Sequence, residues 1–192
     1  MCGIVAGVAD RDVVPVFLQG LRRLEYRGYD SCGVAVVRDG EIDRARSVAR
    51  VKDLAEQVRA EGMQGTVGIA HTRWATHGGP VVANAHPHIA GNRIALVHNG
   101  IIENFAQLRA ELEATGVTMQ SQTDTEVLAH LVNFYLEDDL LEALKKALSR
   151  VTGAYAVAVF DKRHPERIVG ARQGSPMVVG LGEGENFIAS DA

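Results

Sequence analysis

The order of apolar runs along the chain is the feature that most narrows the folds available to it. Small and β-branched residues form compact runs, as in Gly3–Ala9, Cys32–Arg38 and Thr66–Thr72, and such runs are typical of buried strands. Segments with helical spacing lie in separate blocks, and residues 154–190 return to short strand-like runs between Gly and Pro turns. A parallel, doubly wound sheet would need strands and helices to alternate regularly. The sequence therefore predicts an α+β fold in which helices pack on antiparallel sheet.

Amphipathic helices are predicted where apolar residues recur every three or four positions. The predicted segments are residues 12–27, Lys52–Glu61, Asn104–Ala114, Thr123–Tyr135 and Asp139–Val151. The fourth begins with Thr-Asp-Thr-Glu, which matches a capping box. Each segment has one apolar face that can pack against a sheet.

Turn and loop signals divide these elements. Asp39-Gly40 is typical of a tight hairpin turn, and Asn99-Gly100 is expected to end the strand Arg93–His98. Residues Arg73–Ile89 contain glycines, prolines and histidines without periodicity and predict a long ordered loop, a kind of segment that is often functional. Gly180–Glu185 is interpreted as a turn, because a phosphate-binding loop would be followed by a helix.

Composition excludes several classes of protein. A 46% hydrophobic and 23% charged chain of 192 residues is typical of one globular domain. The net charge of −4 without a basic cluster argues against nucleic acid, and no apolar run is long enough to cross a membrane. The N-terminus lacks a signal peptide, and two cysteines, Cys2 and Cys32, could pair but favour a reduced, cytoplasmic protein. The sequence stops at Ala192 directly after a strand-like run, so a truncated longer protein is expected.

Cys2 is the residue most clearly suited to act in catalysis. Removal of Met1 would leave Cys2 with a free α-amine, whose pKa of about 8 lies close to that of a cysteine thiol. Nucleophile and base would then belong to one residue, and the protonated amine could donate to a leaving nitrogen. The alternative is that Cys2 only begins a buried strand.

The run His71–Gly78 places a guanidinium and an indole where a strand becomes a loop. The planar fork of Arg73 suits a carboxylate, such as that of an amino acid. The alternative is that Arg73 is a solvated strand end, and that Trp74 anchors the core.

Histidines are concentrated in the middle of the chain, at His71, His77, His86, His88 and His98. His86-Pro87-His88 could chelate a metal, but the spacing lacks the cysteines or the helical pair of common zinc sites. Ligand binding or ordering of the loop is the preferred interpretation, and no metal or cofactor is expected.

Two further positions have competing interpretations. The amide of Asn99 and the backbone N–H of Gly100 could stabilise an oxyanion, or they could form an ordinary turn. Asp124 could receive a substrate ammonium, or it could serve only the dipole of the helix that it begins.

Taken together, the motifs closely resemble the glutaminase domains of the glutamine–fructose-6-phosphate aminotransferases, over essentially the whole chain. The matching segments are Cys2–Val5, Leu24–Ser31, His71–Gly78, Asn84–His88, His98–Asn104 and Thr123–Glu126. The resemblance implies an N-terminal-nucleophile fold, a four-layer αββα sandwich, in a domain spanning residues 1–192.

The resemblance also implies roles for individual residues. Cys2 would attack the side-chain amide of L-glutamine to form a γ-glutamyl thioester. Asn99 and Gly100 would form the oxyanion hole. Arg73 would hold the α-carboxylate of glutamine, and Asp124 its α-ammonium group.

Further substrate-binding residues follow from the same resemblance. Trp74, Thr76 and His77 would belong to a loop that closes over glutamine, with His86 nearby and Arg27 beside the nucleophile. Ammonia would pass to fructose 6-phosphate on a sugar isomerase domain that lies outside this chain, in a full-length enzyme expected to be a homo-oligomer.

The chain departs from the family in two ways, and other functions remain as alternatives. It has Asp30-Ser31-Cys32-Gly33 where the family commonly has Asp-Ser-Ala-Gly. It also lacks the sugar isomerase domain of the family, so this fragment cannot make glucosamine 6-phosphate alone. The alternatives are the glutaminase domain of a phosphoribosyl pyrophosphate or asparagine branch enzyme, a non-catalytic glutamine-binding module, and a purely structural fold.

Overall fold

Two antiparallel sheets form the centre of the molecule in a computed structural model, which describes residues 2–192. The strands are β1 Gly3–Ala9, β2 Ser31–Arg38, β3 Glu41–Ser47, β4 Val67–Arg73, β5 His88–Ala90, β6 Ile94–Ile102, β7 Gly153–Asp161, β8 Ile168–Gln173, β9 Val178–Leu181 and β10 Glu185–Ala189. The α-helices are α1 Val14–Leu24, α2 Val51–Ala60, α3 Phe105–Ala114, α4 Asp124–Tyr135 and α5 Leu140–Leu148.

The first sheet has the strand order β3-β2-β4-β1-β10-β9, and the second has the order β5-β6-β7-β8. Strand β1 lies inside the first sheet, where it pairs with β4 on one side and with β10 on the other. Cys2, which precedes β1, is therefore attached to a strand that is paired on both sides.

Three apolar layers hold the sheets and helices together. Between the two sheets lie branched aliphatic side chains such as Ile4, Ile69 and Val97, together with the aromatic ring of Phe160. A second layer packs α1 and α2 on the outer face of the first sheet, and a third packs α3, α4 and α5 on the second. The predicted α+β fold, a four-layer αββα sandwich, is confirmed.

Local capping explains where the helices begin. Asp12 lies one residue before the N-cap of α1, and its Oδ1 still accepts the Val14 N–H at 3.2 Å. At α4 the Thr123 side chain accepts the Glu126 N–H at 3.2 Å, so the predicted N-cap is confirmed. The carboxylate of Glu126 turns to Ser121 instead of Thr123, so only half of a reciprocal capping box forms.

The Asp39-Gly40 hairpin turn is confirmed. Both residues have positive φ angles, 52° and 78°, as a two-residue turn between twisted strands requires.

Two predictions about strands were wrong. The segment Arg73–Ile89 is not wholly a loop, because Arg73 still belongs to β4 and His88 begins β5. Asn99-Gly100 does not end its strand, because β6 continues to Ile102 in register with β7. Gly100 allows this continuation, since its φ of 130° accommodates a bend that other residues rarely adopt.

No helix within residues 2–192 is both long and apolar enough to span a bilayer.

Candidate active site

Cys2 lies next to the beginning of β1, beside the end of β4, where Gly3 is paired with Thr72. The Sγ atom accepts a hydrogen bond from the Trp74 N–H at 3.3 Å and lies 3.6 Å from the carbonyl oxygen of the same residue. Burial raises the pKa of the Cys2 thiol, and the Trp74 N–H offsets part of that rise. Within residues 2–192 no histidine is hydrogen-bonded to the sulfur, so the thiol is not part of a Cys–His dyad.

Asn99 and Gly100 belong to β6 of the second sheet and lie beside Cys2. The Asn99 Nδ2 donates to the carbonyl oxygen of Cys2 at 3.0 Å. A Cβ at position 100 would lie 2.0 Å from the Ala154 carbonyl oxygen, so only glycine fits there. Gly100 and Cys2 line the same two cavities. An amide donor and a glycine backbone therefore lie next to the thiol.

His71 is buried behind Asn99. Its Nε2 lies 3.0 Å from Asn99 Oδ1 and 3.1 Å from the His98 carbonyl oxygen. Burial lowers the pKa of His71 to about 3, so the ring is neutral at physiological pH.

Other buried histidines are tied to the first turn of α4. His86 Nε2 and His98 Nδ1 lie 2.7 Å and 3.1 Å from the single hydroxyl oxygen of Thr125, and His88 Nε2 lies 3.0 Å from Thr123 Oγ1. Burial lowers the pKa of each of these rings. Among residues 2–192 no group of three or more His, Cys, Asp or Glu side chains is arranged to hold a metal ion.

Arg73 is buried and organises the loop that follows it. Its Nη2 donates to the His77 carbonyl oxygen at 2.5 Å and to that of Gly78 at 3.1 Å, and its Nη1 donates to the Gly79 carbonyl oxygen at 3.3 Å. Asp30 Oδ1 lies 3.7 Å from Nη1. With 3% of its side chain exposed, Arg73 is not the solvated strand end of the alternative interpretation.

Asp124 is the first residue of α4, and the two oxygen atoms of its carboxylate have different neighbours. The Oδ2 atom accepts the Ile102 N–H at 2.9 Å, which fixes the end of β6 to the helix. The Oδ1 atom lies 3.9 Å from His77 Nδ1, on the side of the loop. One oxygen is thus structural, and the other faces the cavity that contains Cys2.

The loop side chains Trp74, Thr76 and His77 surround this cavity. Trp74 is 51% exposed and contacts Tyr29 edge to face, with ring centroids 5.9 Å apart, so the interpretation of Trp74 as a core anchor was wrong. The Asp30 carboxylate accepts a short hydrogen bond from the Ala75 N–H, which holds the loop down from the opposite side.

Arg27 lines the second cavity together with Cys2. Its Nη1 donates to Asp191 Oδ2 at 2.9 Å and to the Ser190 carbonyl oxygen at 3.4 Å. Ser190 Oγ in turn accepts the Ile4 N–H at 3.0 Å, close to the nucleophile.

Two cavities meet at Cys2. The one bounded by Cys2, Arg73 and Asp124 encloses about 10 Å³, which is room for a single water molecule. The other encloses about 280 Å³ and runs from Cys2 to Pro176. The space beside Arg73 and Asp124 is thus smaller than an amino acid in this conformation, and the loop side chains Trp74, Thr76 and His77 form part of its wall.

The structure brings all of the predicted site residues to the rim of these two cavities. Sequence reasoning gave no role to Asp30 or Thr125 and only a helix-capping role to Thr123, although each of the three contacts a residue of the site. The motif Thr-Asp-Thr-Glu contained two of them, but its capping pattern accounted for Thr123 alone.

Comparisons with known proteins show what this chain is similar to. The glutamine amidotransferase domain family matches residues 71–192. Glutamine–fructose-6-phosphate aminotransferase (isomerizing) of Bordetella pertussis is 60% identical over 197 aligned residues, which cover 100% of this chain and 32% of that protein. The enzyme of the same name from Haemophilus influenzae is 57% identical, again over 100% of this chain and 32% of the relative. The chain thus spans about a third of the length of these curated relatives.

Solved structures show the same fold. Glutamine phosphoribosylpyrophosphate amidotransferase from B. subtilis, complexed with ADP and GMP, superposes with a TM-score of 0.85 and 27% identity, covering 98% of this chain and 42% of that one. A glutamine aminotransferase class-II domain protein from Silicibacter pomeroyi gives a TM-score of 0.69 at 20% identity, covering 98% and 88% of the two chains.

Proposed function

Since the chain belongs to the glutamine amidotransferase domain family, we propose that it hydrolyses the side-chain amide of L-glutamine with Cys2 as the nucleophile. The observation that carries the proposal is that three groups meet at Cys2. Asn99 Nδ2 lies 3.0 Å from the Cys2 carbonyl oxygen, while Arg73 and Asp124 line a cavity that Cys2 also lines.

The reaction proceeds in two halves. Once Met1 is removed, the α-amine of Cys2 accepts the thiol proton as Sγ forms a bond to the amide carbon of glutamine. The carbon–nitrogen bond then breaks, the amine returns its proton to the leaving nitrogen, and ammonia departs. Water hydrolyses the γ-glutamyl thioester, which yields glutamate and restores the thiol.

Partial burial of the thiol is consistent with the need for a base of this kind. Burial raises the pKa of the Cys2 thiol and so favours its neutral form, which needs a base to take the proton when the bond to carbon forms. A free α-amine on the same residue, with an ordinary pKa of about 8, can accept that proton.

Oxyanion stabilisation is assigned to Asn99 and Gly100. An amide carbonyl becomes negatively charged when sulfur attacks it, and donors fixed in place stabilise that charge without reorganisation. The Asn99 Nδ2 is a donor beside the nucleophile, and Gly100 contributes its backbone N–H.

Recognition of the amino-acid end of glutamine is assigned to Arg73 and Asp124. A guanidinium can bind the α-carboxylate, and the cavity-facing Oδ1 of Asp124 can accept from the α-ammonium group. Arg73 also holds the loop of residues 74–79, so substrate binding and loop closure would depend on the same side chain. Trp74, Thr76, His77 and His86 complete the enclosure, with Arg27 beside the thiol.

The acceptor of the ammonia is proposed from the relatives. We assign residues 1–192 to the glutaminase domain of a homo-oligomeric, cytoplasmic enzyme that converts fructose 6-phosphate to glucosamine 6-phosphate. The identity of 60% to enzymes named for fructose 6-phosphate favours this acceptor over the phosphoribosyl branch, whose structural relative is 27% identical.

A pair of cysteine variants tests the proposal. Cys2→Ala is expected to abolish ammonia release from glutamine, while Cys32→Ala is expected to retain it. The Cys32 thiol is buried in the core beside the first sheet, and among the described residues it hydrogen-bonds only to the Ala49 carbonyl oxygen. Ammonia release is measured by a coupled assay, and intact mass establishes whether Met1 has been removed.

Two outcomes would contradict the proposal. Turnover by the Cys2→Ala protein would exclude Cys2 as the nucleophile. Unchanged glutamine in the presence of the Met1-processed parent protein would favour a module that binds glutamine without hydrolysing it.

A further inference from the structure

We propose that His71 is a positioning residue that orients the Asn99 side-chain amide so that its nitrogen faces the nucleophile. The inference rests on the proposed function, which assigns Asn99 to the oxyanion hole. His71 does not line either cavity at Cys2; it reaches the proposed oxyanion hole through Asn99, while its ring packs against that of His86 with centroids 4.0 Å apart.

The surroundings of His71 determine which ring nitrogen carries the proton. Nε2 lies between two oxygen atoms, Asn99 Oδ1 at 3.0 Å and the His98 carbonyl oxygen at 3.1 Å. Since neither oxygen can donate, Nε2 must donate to both. Within residues 2–192 the Nδ1 atom is buried without a hydrogen-bond partner, a place where an N–H would be left unsatisfied. The ring is therefore the neutral Nε2–H tautomer.

Burial reinforces this state. His71 is fully buried, and the cost of burying a charge lowers its pKa to about 3. The ring stays neutral across the pH range in which a thiol and an amine exchange protons, so it donates through Nε2 throughout that range.

The orientation of Asn99 follows from these contacts. In the observed orientation Oδ1 accepts from His71, and Nδ2 donates to the Cys2 carbonyl oxygen at 3.0 Å. A flipped amide would set N–H against N–H at His71 and oxygen against oxygen at Cys2. The Nδ2 group has two hydrogens and Cys2 accepts one, so the second remains for the oxygen that becomes negative during attack.

Two substitutions of the same chemical type separate positioning from general structure. Glutamine at position 71 carries an amide N–H at about the reach of Nε2, whereas asparagine is one methylene shorter. We expect His71→Asn to lower kcat about 10- to 100-fold, since loss of an oxyanion donor itself costs about 100- to 1000-fold. The KM for glutamine should stay within about threefold, and His71→Gln should restore kcat to within about fivefold of the parent.

Two kinetic results would overturn the proposal. One is a kcat for His71→Asn within twofold of the parent, and the other is an equal loss of kcat in both variants. Alkylation of Cys2 by iodoacetamide serves as the control, because it needs the nucleophile but no oxyanion hole. Its rate should be the same in all three proteins, and a slower rate in His71→Asn would show general damage and count against a positioning role.

A spectroscopic measurement tests His71 apart from the proposed function. Long-range ¹H–¹⁵N NMR of the histidine rings in the parent chain should show His71 as the neutral Nε2–H tautomer at pH 7. An Nδ1–H tautomer or an imidazolium would overturn the proposal even if the protein hydrolyses glutamine. Failure of the parent chain to release ammonia would instead count against the glutaminase function, while the NMR result would still decide the tautomer.

Discussion

Gly100 shows at the scale of one residue how backbone geometry serves the site. Its φ of 130° and the 2.0 Å that would separate an added Cβ from the Ala154 carbonyl oxygen leave no room for a side chain. Both features lie in the middle of a strand pair, directly after Asn99. The position proposed to supply the second oxyanion donor is thus also one where a side chain would clash with the neighbouring strand.

Substitution of Gly100 by alanine tests this requirement. We expect Gly100→Ala to reduce the free energy of unfolding by about 2 kcal/mol or more, through backbone strain and a steric clash, and to reduce turnover at least about 100-fold. Gly116→Ala is the matched control, since Gly116 also has a positive φ, 93°, but nothing lies within 4 Å of its added Cβ. Urea denaturation and ammonia release measure both effects, and equal costs for the two variants would contradict the clash.

Arg73 has two assigned roles that a substrate analogue can separate. Arg73→Ala should weaken glutamine binding by about 2–5 kcal/mol, because a buried, charge-assisted contact is lost. The amide of 4-aminobutyric acid lacks the α-carboxylate, so its binding should be affected much less. Calorimetric titration of Cys2→Ala proteins with both ligands makes the comparison. An equal loss for both ligands would mean that Arg73 acts only by holding the loop.

The sequence identifies these side chains better than it identifies their surroundings. Residue chemistry left Arg73, Asn99 and Asp124 with two interpretations each, and the resemblance of the surrounding motifs implied that they bind and hydrolyse glutamine. The burial of Arg73 and the exposure of Trp74 depend on how the loop folds back over β4. That path is set by backbone carbonyls and by Asp30, which have no local sequence pattern.

At the scale of secondary-structure elements, the N-terminus of α4 connects several parts of the site. Thr123 caps the helix, Asp124 joins it to β6, and Thr125 contacts two buried histidines. The first turn of one helix therefore fixes the position of the proposed ammonium-binding carboxylate relative to the strand that bears Asn99.

Loss of the α4 cap should affect glutamine binding as well as stability. Thr123→Ala and Asp139→Ala each remove an N-cap side chain and should each cost about 1 kcal/mol in the free energy of unfolding. Only Thr123→Ala should raise the KM for glutamine several-fold, because Asp124 follows Thr123 directly, whereas α5 lies outside the site. Thermal denaturation and steady-state kinetics provide the two readouts. A comparable rise in KM for Asp139→Ala would show that general loosening is responsible.

Elements were predictable where their signal is local. Strand β1 and helix α3 follow from apolar runs and helical periodicity within a few residues. Strand β5 has only three residues, His88–Ala90, and is defined by its pairing with β6. The continuation of β6 through Asn99-Gly100 likewise depends on β7, which lies some fifty residues further along the chain. Tertiary pairing overrides the local turn preference in that case.

At the scale of the whole molecule, buried neutral histidines make stability depend on pH. The folded-state pKa of His71 is about 3, and those of His86, His88 and His98 are also lowered by burial, while the unfolded chain has the ordinary value of 6.5. Below pH 6.5 the unfolded state binds protons that the folded state cannot, so stability falls as pH falls.

The change in the free energy of unfolding with pH is measurable. Each such histidine contributes about 1.4 kcal/mol per pH unit between pH 6.5 and its folded pKa. We expect the free energy of unfolding to fall by more than this amount per unit between pH 6 and pH 4, and the fall should become shallower in His88→Gln. His164→Gln is the control, since His164 is largely exposed. A free energy of unfolding that is flat across this range, measured by urea denaturation, would contradict the prediction.

The place of β1 between β4 and β10 has a consequence for how the protein is made. Cys2 is among the first residues to leave the ribosome, yet β10, one of the two strands that flank β1, begins at Glu185. Contacts between such distant positions form late and slowly. A nascent chain therefore carries Cys2 beside an incomplete first sheet until Glu185–Ala189 have been synthesised.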